Sequence, residues 1–153
     1  MLWNASDRTT AAAAQILGVA VQTLGVREPD DFDDAFSAMT RDPPDAILMV
    51  SDALMSLNRK RVFEFVTEHR LPAIYELEWL ARDGGLMSYG PDTAESFDRA
   101  AALVDRILKG ASPASLPFEQ PTRFRLVINL KAAKALRLNI PPTLLATADE
   151  VVD

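Results

Sequence analysis

The sequence predicts an α/β fold, a largely parallel sheet flanked by helices, from three observations. Short apolar runs of strand length alternate with stretches of helical periodicity, the pattern of successive β-α units. One run, residues 46–50 (AILMV), is apolar throughout, as expected of a parallel strand covered on both faces by helices. The connections between these segments are short, and Gly or Pro punctuates most of them.

Taken in order, residues 1–3 read as the tail of a first strand. The run Asn4-Ala5-Ser6-Asp7 then supplies cap chemistry for an Ala-rich helix through Leu17, which Gly18 stops. Residues 19–24 alternate as a second strand does. Pro29-Asp30-Asp31 opens a helix whose Phe32, Ala35, Phe36 and Met39 share one face, and Pro43-Pro44 breaks it. After the 46–50 strand comes a helix over 58–69, with Val62, Phe63, Phe65 and Val66 toward the core. Residues 73–75 form a short strand and 77–81 a helical turn. Gly84-Gly85 precedes a strand over 86–89, which Pro91 stops.

Asp92 or Thr93 caps the longest helix, with Glu95 in the capping-box position. Phe97, Ala101, Val104 and Leu108 keep one face of it, and Gly110 ends it. Residues 111–122 hold three prolines and read as an extended crossing segment. Residues 123–129 alternate as a half-exposed strand, 131–138 form a helix, and Pro141-Pro142 opens a last helical turn.

Composition excludes several functions. At 153 residues and a formal charge of −6, with Lys and Arg scattered, the chain has no basic stripe to neutralise phosphates, so nucleic acid is not an expected partner. With 48% hydrophobic and 25% charged residues it resembles an ordinary globular chain with a core. The absence of Cys removes disulfides, thiolate nucleophiles and Cys-held metal sites. No signal-peptide pattern and no membrane-length apolar run is present, so no export address is expected.

Catalytic and cofactor motifs are likewise missing. The single His69 sits at a helix C-terminus, where a cation is favoured by the dipole, and no G-x-S-x-G elbow accompanies it. Neither G-x-G-x-x-G nor a P-loop occurs, so no nucleotide cofactor is expected. The carboxylates Asp30, Asp31, Asp33 and Asp34 fall in a helix's first turn, where they offset the dipole rather than hold a metal.

In open α/β sheets ligands bind at the carboxyl ends of the strands. The candidates are therefore Asn4 and Ser6 after the first strand, Ser51 and Asp52 after the third, Tyr75 and Glu76 after the fourth, and Ser88 and Tyr89 at the fifth. Hydroxyls, an amide and carboxylates beside aromatic rings suit a small zwitterion, with the carboxylates facing its ammonium. Asn4, Ser6 and Asp52 equally suit helix caps, while Tyr75 and Tyr89 suit a pocket wall.

Five segments, LPAIYE (71–76), GGLMSYGPD (84–92), AALVDRILKG (101–110), FEQPTRFRLVINLKAAKAL (118–136) and IPPTLLATADEVVD (140–153), together with LWN (2–4), resemble one family in wording and order. It is that of ABC transporter substrate-binding proteins of the type 1 periplasmic-binding fold, whose relatives take aromatic or branched amino acids. The resemblance implies a three-layer, Rossmann-like α/β lobe, the second of the family's two, forming a single domain over 1–153. Residues 84–122 would be the segment that crosses back to the first lobe.

Also implied are a small amino acid-like solute, an ABC permease as partner, a periplasmic location and no covalent chemistry. An apolar face on the 93–109 helix, without its first lobe, predicts a homodimer. A ligand-sensing regulatory domain of the same fold is the alternative function, and a flavodoxin-like enzyme or response-regulator-like domain a third.

Overall fold

The computed structural model describes residues 3–153, and their side chains from Thr9 onward. The chain divides into two compact units, the first running through Asp42 and the second spanning Pro43–Asp153.

The first unit holds two helices, α1 (Trp3–Leu17) and α2 (Asp31–Arg41). α1 departs from expectation at its start. Trp3 is already helical, so it is no strand residue, and Asn4 to Asp7 lie within the first turns rather than capping the helix. An Ala-rich sequence propagates well once nucleated, which carries the helix past the polar residues. The strand expected over 19–24 is absent. The segment is irregular, and Val19 and Val21 are exposed. Alternation alone supports a strand only where a neighbouring edge takes up its backbone groups. α2 forms as expected, burying Phe32 and Ala35. The Asp31 carboxylate accepts from the backbone N–H of Arg27 (2.7 Å) and Glu28 (3.2 Å), so it holds the preceding turn.

The second unit is a five-stranded sheet in the order β1 (Ile47–Met49), β2 (Ala73–Tyr75), β3 (Met87–Pro91), β4 (Phe124–Asn129) and β5 (Glu150–Val152). β1, β2 and β3 are mutually parallel, β4 runs antiparallel to β3, and β5 is parallel to β4. The α/β class is as read from sequence, but the sheet is mixed. β5 was not foreseen, because EVV at the end of a helical turn is too short to show a period.

Intervening helices are α3 (Ala53–Leu57), α4 (Arg59–His69), α5 (Glu78–Arg82), α6 (Thr93–Leu108), α7 (Leu130–Ala135) and α8 (Pro142–Leu145). Asp52, Asp92 and Asn129 cap α3, α6 and α7 through their side chains. Glu95, expected to reach back to its cap residue, turns elsewhere. It accepts from the Thr122 hydroxyl (2.7 Å) and the Arg123 N–H (3.0 Å), clipping the 119–123 segment to α6.

Register places Met49, Tyr75, Ser88, Val127 and Glu150 in one row across the sheet, and Leu48, Ile74, Met87, Ile128 and Val151 in the row of the opposite face. α5 and the Phe63 ring of α4 lie on the first face. α7 covers part of the second, where Ala133 and Leu136 meet Leu86 and Met87. β1 is an edge rather than a doubly covered strand, with Leu48 60% exposed.

Candidate functional site

Because β4 and β5 run against β1–β3, the carboxyl ends of the first three strands share one rim of the sheet with the starts of the last two. This rim gathers Ser51, Asp52, Glu76, Tyr89, Phe124 and Arg125 within one unit. Gly90 makes the rim possible. A Cβ there would stand 1.9 Å from the Glu76 carbonyl oxygen, so only glycine lets β3 pass so close to the end of β2.

The sequence-predicted residues separate into two groups. At the rim, Glu76 is exposed, and Asp52 is exposed while accepting from Met55 N–H (2.8 Å) as the cap of α3. Tyr89 is 56% exposed and stacks on Phe124, with ring centroids 5.7 Å apart. Ser51 is half-buried, and its Oγ has no hydrogen-bond partner.

Beneath the rim, Tyr75 and Ser88 are register neighbours and fully buried, each with a hydroxyl that no described residue partners. The Tyr75 ring meets Phe63 edge-on at 5.5 Å and lies against Gly85, where a Cβ would approach it to 2.6 Å. Burial pushes its phenol well above the usual range, so it stays protonated and available as a donor. Asn4 and Ser6 lie on α1 in the first unit, with their side chains outside the described residues.

Sequence reasoning missed Phe124 and the charges behind it. Both follow from the direction of β4, which a single alternating run cannot reveal. Arg125 bonds Glu78 (3.0 Å) and Glu150 (3.2 Å), and Arg82 binds Glu150 through both carboxylate oxygens (2.8 and 2.7 Å). Two cations and two anions thus close a neutral cluster joining α5, β4 and β5. The Arg82 hydrogen bond is the main reason the Glu150 carboxyl is held below the ordinary glutamate range. The Arg125 Nε remains buried without a partner.

His69 ends α4 with its ring stacked on Phe65 at 4.2 Å and its Nδ1 2.9 Å from the Phe65 carbonyl, so it is a helix-end residue. Among the described residues no group of three or more His, Cys, Asp or Glu is placed to hold a metal. A shallow depression of about 270 Å³ in the first unit, lined by Thr10, Gln15, Val21 and Thr23 among others, contains none of the candidates.

The rim thus carries aromatic, hydroxyl and carboxylate groups within one unit. The family model described as ABC transporter substrate binding protein matches residues 5–152. The chain belongs to that family. Chains of solved structure share the fold. A domain from Streptococcus pneumoniae determined in complex with L-Trp is 25% identical, with a TM-score of 0.86 over 97% of this chain and 51% of that one. A conserved domain protein from Vibrio cholerae (22% identical, TM-score 0.87) is covered over 49% of its length by 96% of this chain. A ligand-free, open substrate binding protein with adhesive properties from Clostridium difficile (19%, TM-score 0.67) is covered over 50% by 97% of this chain. These last two likenesses concern the fold alone. No curated protein matches the chain. The chain spans about half the length of these solved relatives. Among its described residues no helix is long and apolar enough to cross a membrane.

Proposed function

We propose that this chain is the second lobe of an ABC importer's substrate-binding protein and binds a small zwitterion of the amino acid class at the rim of its sheet. The observation that carries the reading is the pairing of an exposed carboxylate, Glu76, with the half-exposed Tyr89–Phe124 stack on the same rim. A carboxylate takes an ammonium by charge-assisted hydrogen bonds, and stacked rings take an apolar or aromatic side chain. Ser51 adds an unpartnered hydroxyl at the mouth, and Tyr75 and Ser88 two more beneath it. Asp52, exposed at the same rim, completes the set within this unit.

Family membership supports the remainder of the proposal. The lobe closes over its solute against a first lobe, toward which residues 84–122 cross, and delivers it to a permease without forming a covalent bond. Its place of work is the periplasmic or extracellular side. Thermal unfolding in the presence of each of a panel of amino acids tests the reading. A ligand at one hundred times its dissociation constant adds about 2.7 kcal/mol to stability. A rise in Tm for aromatic or branched amino acids, lost on Tyr89→Ala, is expected. No rise with any of them would count decisively against the proposal.

A further inference from the structure

Phe124, one half of the ring stack at the rim, is the first residue of β4, where the ladder with β3 comes to its end. Hydrogen-bonded and unbonded pairs alternate along an antiparallel ladder. The Asp92 N–H donates to the Arg123 carbonyl (2.9 Å), so Asp92 and Arg123 form a bonded pair and the neighbouring Pro91 and Phe124 an unbonded one. Proline is tolerated at that place because no donor is needed. The same alternation leaves Phe124 without a bond of its own to β3. Its placement depends on the bonded pairs to either side, Arg125 with Gly90 and Arg123 with Asp92.

The outer of these pairs lacks its second rung. In a continuing ladder the Arg123 N–H would donate to the Asp92 carbonyl. That carbonyl is taken by the first turn of α6, where it accepts from the Ser96 N–H (3.1 Å) and the Ser96 hydroxyl (2.9 Å). Glu95 supplies the substitute. One oxygen of its carboxylate accepts from the Arg123 N–H (3.0 Å), the other from the Thr122 hydroxyl (2.7 Å) and from Arg99 (3.2 Å). Arg99 is in turn fixed by Glu119 at 2.9 Å, which holds the carboxylate in place from behind. Because the Asp92 N–H is spent on Arg123, Glu95 has no capping box to close and is free for this second use.

We propose that Glu95 is a positioning residue of the solute site: it closes the last rung between β3 and β4 and thereby sets the Phe124 ring on Tyr89, without touching the solute. This role rests on the solute site proposed above. A carboxylate in the first turn of α6 also offsets the helix dipole, and there any acidic side chain serves. Reaching Arg123 and Thr122 from α6 takes the full length of glutamate. Placement of Phe124 therefore depends on the reach of residue 95, whereas compensation of the dipole depends on its charge. The two are separable by substitution. Glu95→Gln keeps the reach without the charge, since an amide oxygen can accept from Arg123 and an amide nitrogen can donate to the Thr122 hydroxyl. Glu95→Asp keeps the charge and falls one carbon short.

The test is calorimetric titration with L-phenylalanine of the unmodified chain, both Glu95 variants, Phe124→Ala and the Phe124→Ala/Glu95→Asp double variant. Glu95→Gln is expected to bind within about twofold of the unmodified chain and Glu95→Asp about fivefold more weakly, while the double variant binds no more weakly than Phe124→Ala alone, because residues acting through one another are not additive. Unchanged binding by Glu95→Asp, or losses that multiply in the double variant, would overturn the proposal. Proton NMR of the Tyr89 ring without solute reads the placement directly, and the chain holds only two tyrosines to assign. Phe124→Ala removes the ring-current shift of its neighbour; Glu95→Asp should move the Tyr89 signals at least halfway to the same positions, and Glu95→Gln should leave them. Tyr89 signals indifferent to Glu95→Asp overturn the placement whether or not a solute binds. If no amino acid binds the unmodified chain while the Tyr89 signals follow Glu95→Asp, the solute reading fails and the hold of Glu95 on Phe124 stands.

Discussion

At the scale of the residue, Asn129 shows how one side chain serves two elements. Its Oδ1 accepts from Ala132 N–H (2.9 Å) to cap α7, and its Nδ2 donates to the Ala81 carbonyl (2.8 Å) at the end of α5. Asn129→Ala removes the cap and the shorter of two hydrogen bonds to the Ala81 carbonyl, which keeps the Gly84 N–H at 3.4 Å, so a loss of about 1 to 3 kcal/mol is expected in urea unfolding. Glu150, like Asp92 and Glu95, contributes to acid stability. Its carboxyl is held below its ordinary value of 4.5, chiefly by the Arg82 hydrogen bond, with Arg82 and Arg125 charges adding to it. A depressed folded-state value means the contribution is complete above the unfolded value and is lost as pH falls through the folded one. Stability should therefore be level above about pH 5 and decline below about pH 4.5. Glu150→Gln should lower the plateau and flatten the decline, as followed by unfolding midpoints across that range. The residue types at the strand ends were legible in the sequence, since Ser51, Glu76 and Tyr89 do stand at the rim. Whether a side chain points outward was not. Tyr75 and Ser88 look the same as Tyr89 in the sequence, yet pleat and packing put them in the core.

At the scale of the element, boundaries set by capping chemistry were readable, and those that depend on a neighbour were not. Asp92 accepts from Ala94 and Glu95 N–H groups, so α6 begins where the sequence places it. The 19–24 segment had an equally plausible pattern, but a strand needs a second strand, and none takes it up. Gly90 fixes how β3 passes the end of β2. Gly90→Ala should cost about 3 kcal/mol or more, because backbone rather than a movable side chain receives the new methyl. Thermal unfolding with a near-ultraviolet probe of Tyr89 measures both the loss and the repacking. α6 should be the least protected long helix of the second unit in amide hydrogen exchange. Its middle and last turns lack buried contacts, whereas β4 carries the fully buried Val127 and Ile128.

At the scale of the whole molecule, the sequence conveyed the class and the order of most elements because β-α alternation is a local signal. It did not convey that the sheet is mixed. The reversal of β4 depends on where residues 111–122 deliver the chain, and β5 depends on an edge that β4 creates. The rim inherits this, since the antiparallel strand brings Phe124 and Arg125 beside Tyr89. Phe124→Ala should weaken solute binding by about tenfold in the thermal-shift assay, as the loss of one stacking partner, while leaving unfolding in the absence of solute nearly unchanged. The other outer strand has a different consequence. β1 offers an edge of only three residues, Ile47–Met49, bracketed by Pro43, Pro44 and Asp45 on one side and Asp52 on the other. Prolines cannot donate to an added strand and carboxylates repel a second copy of themselves, so these residues act as gatekeepers against fibrillar stacking. Without them the sticky ILM run would lengthen into a template for amyloid-like growth.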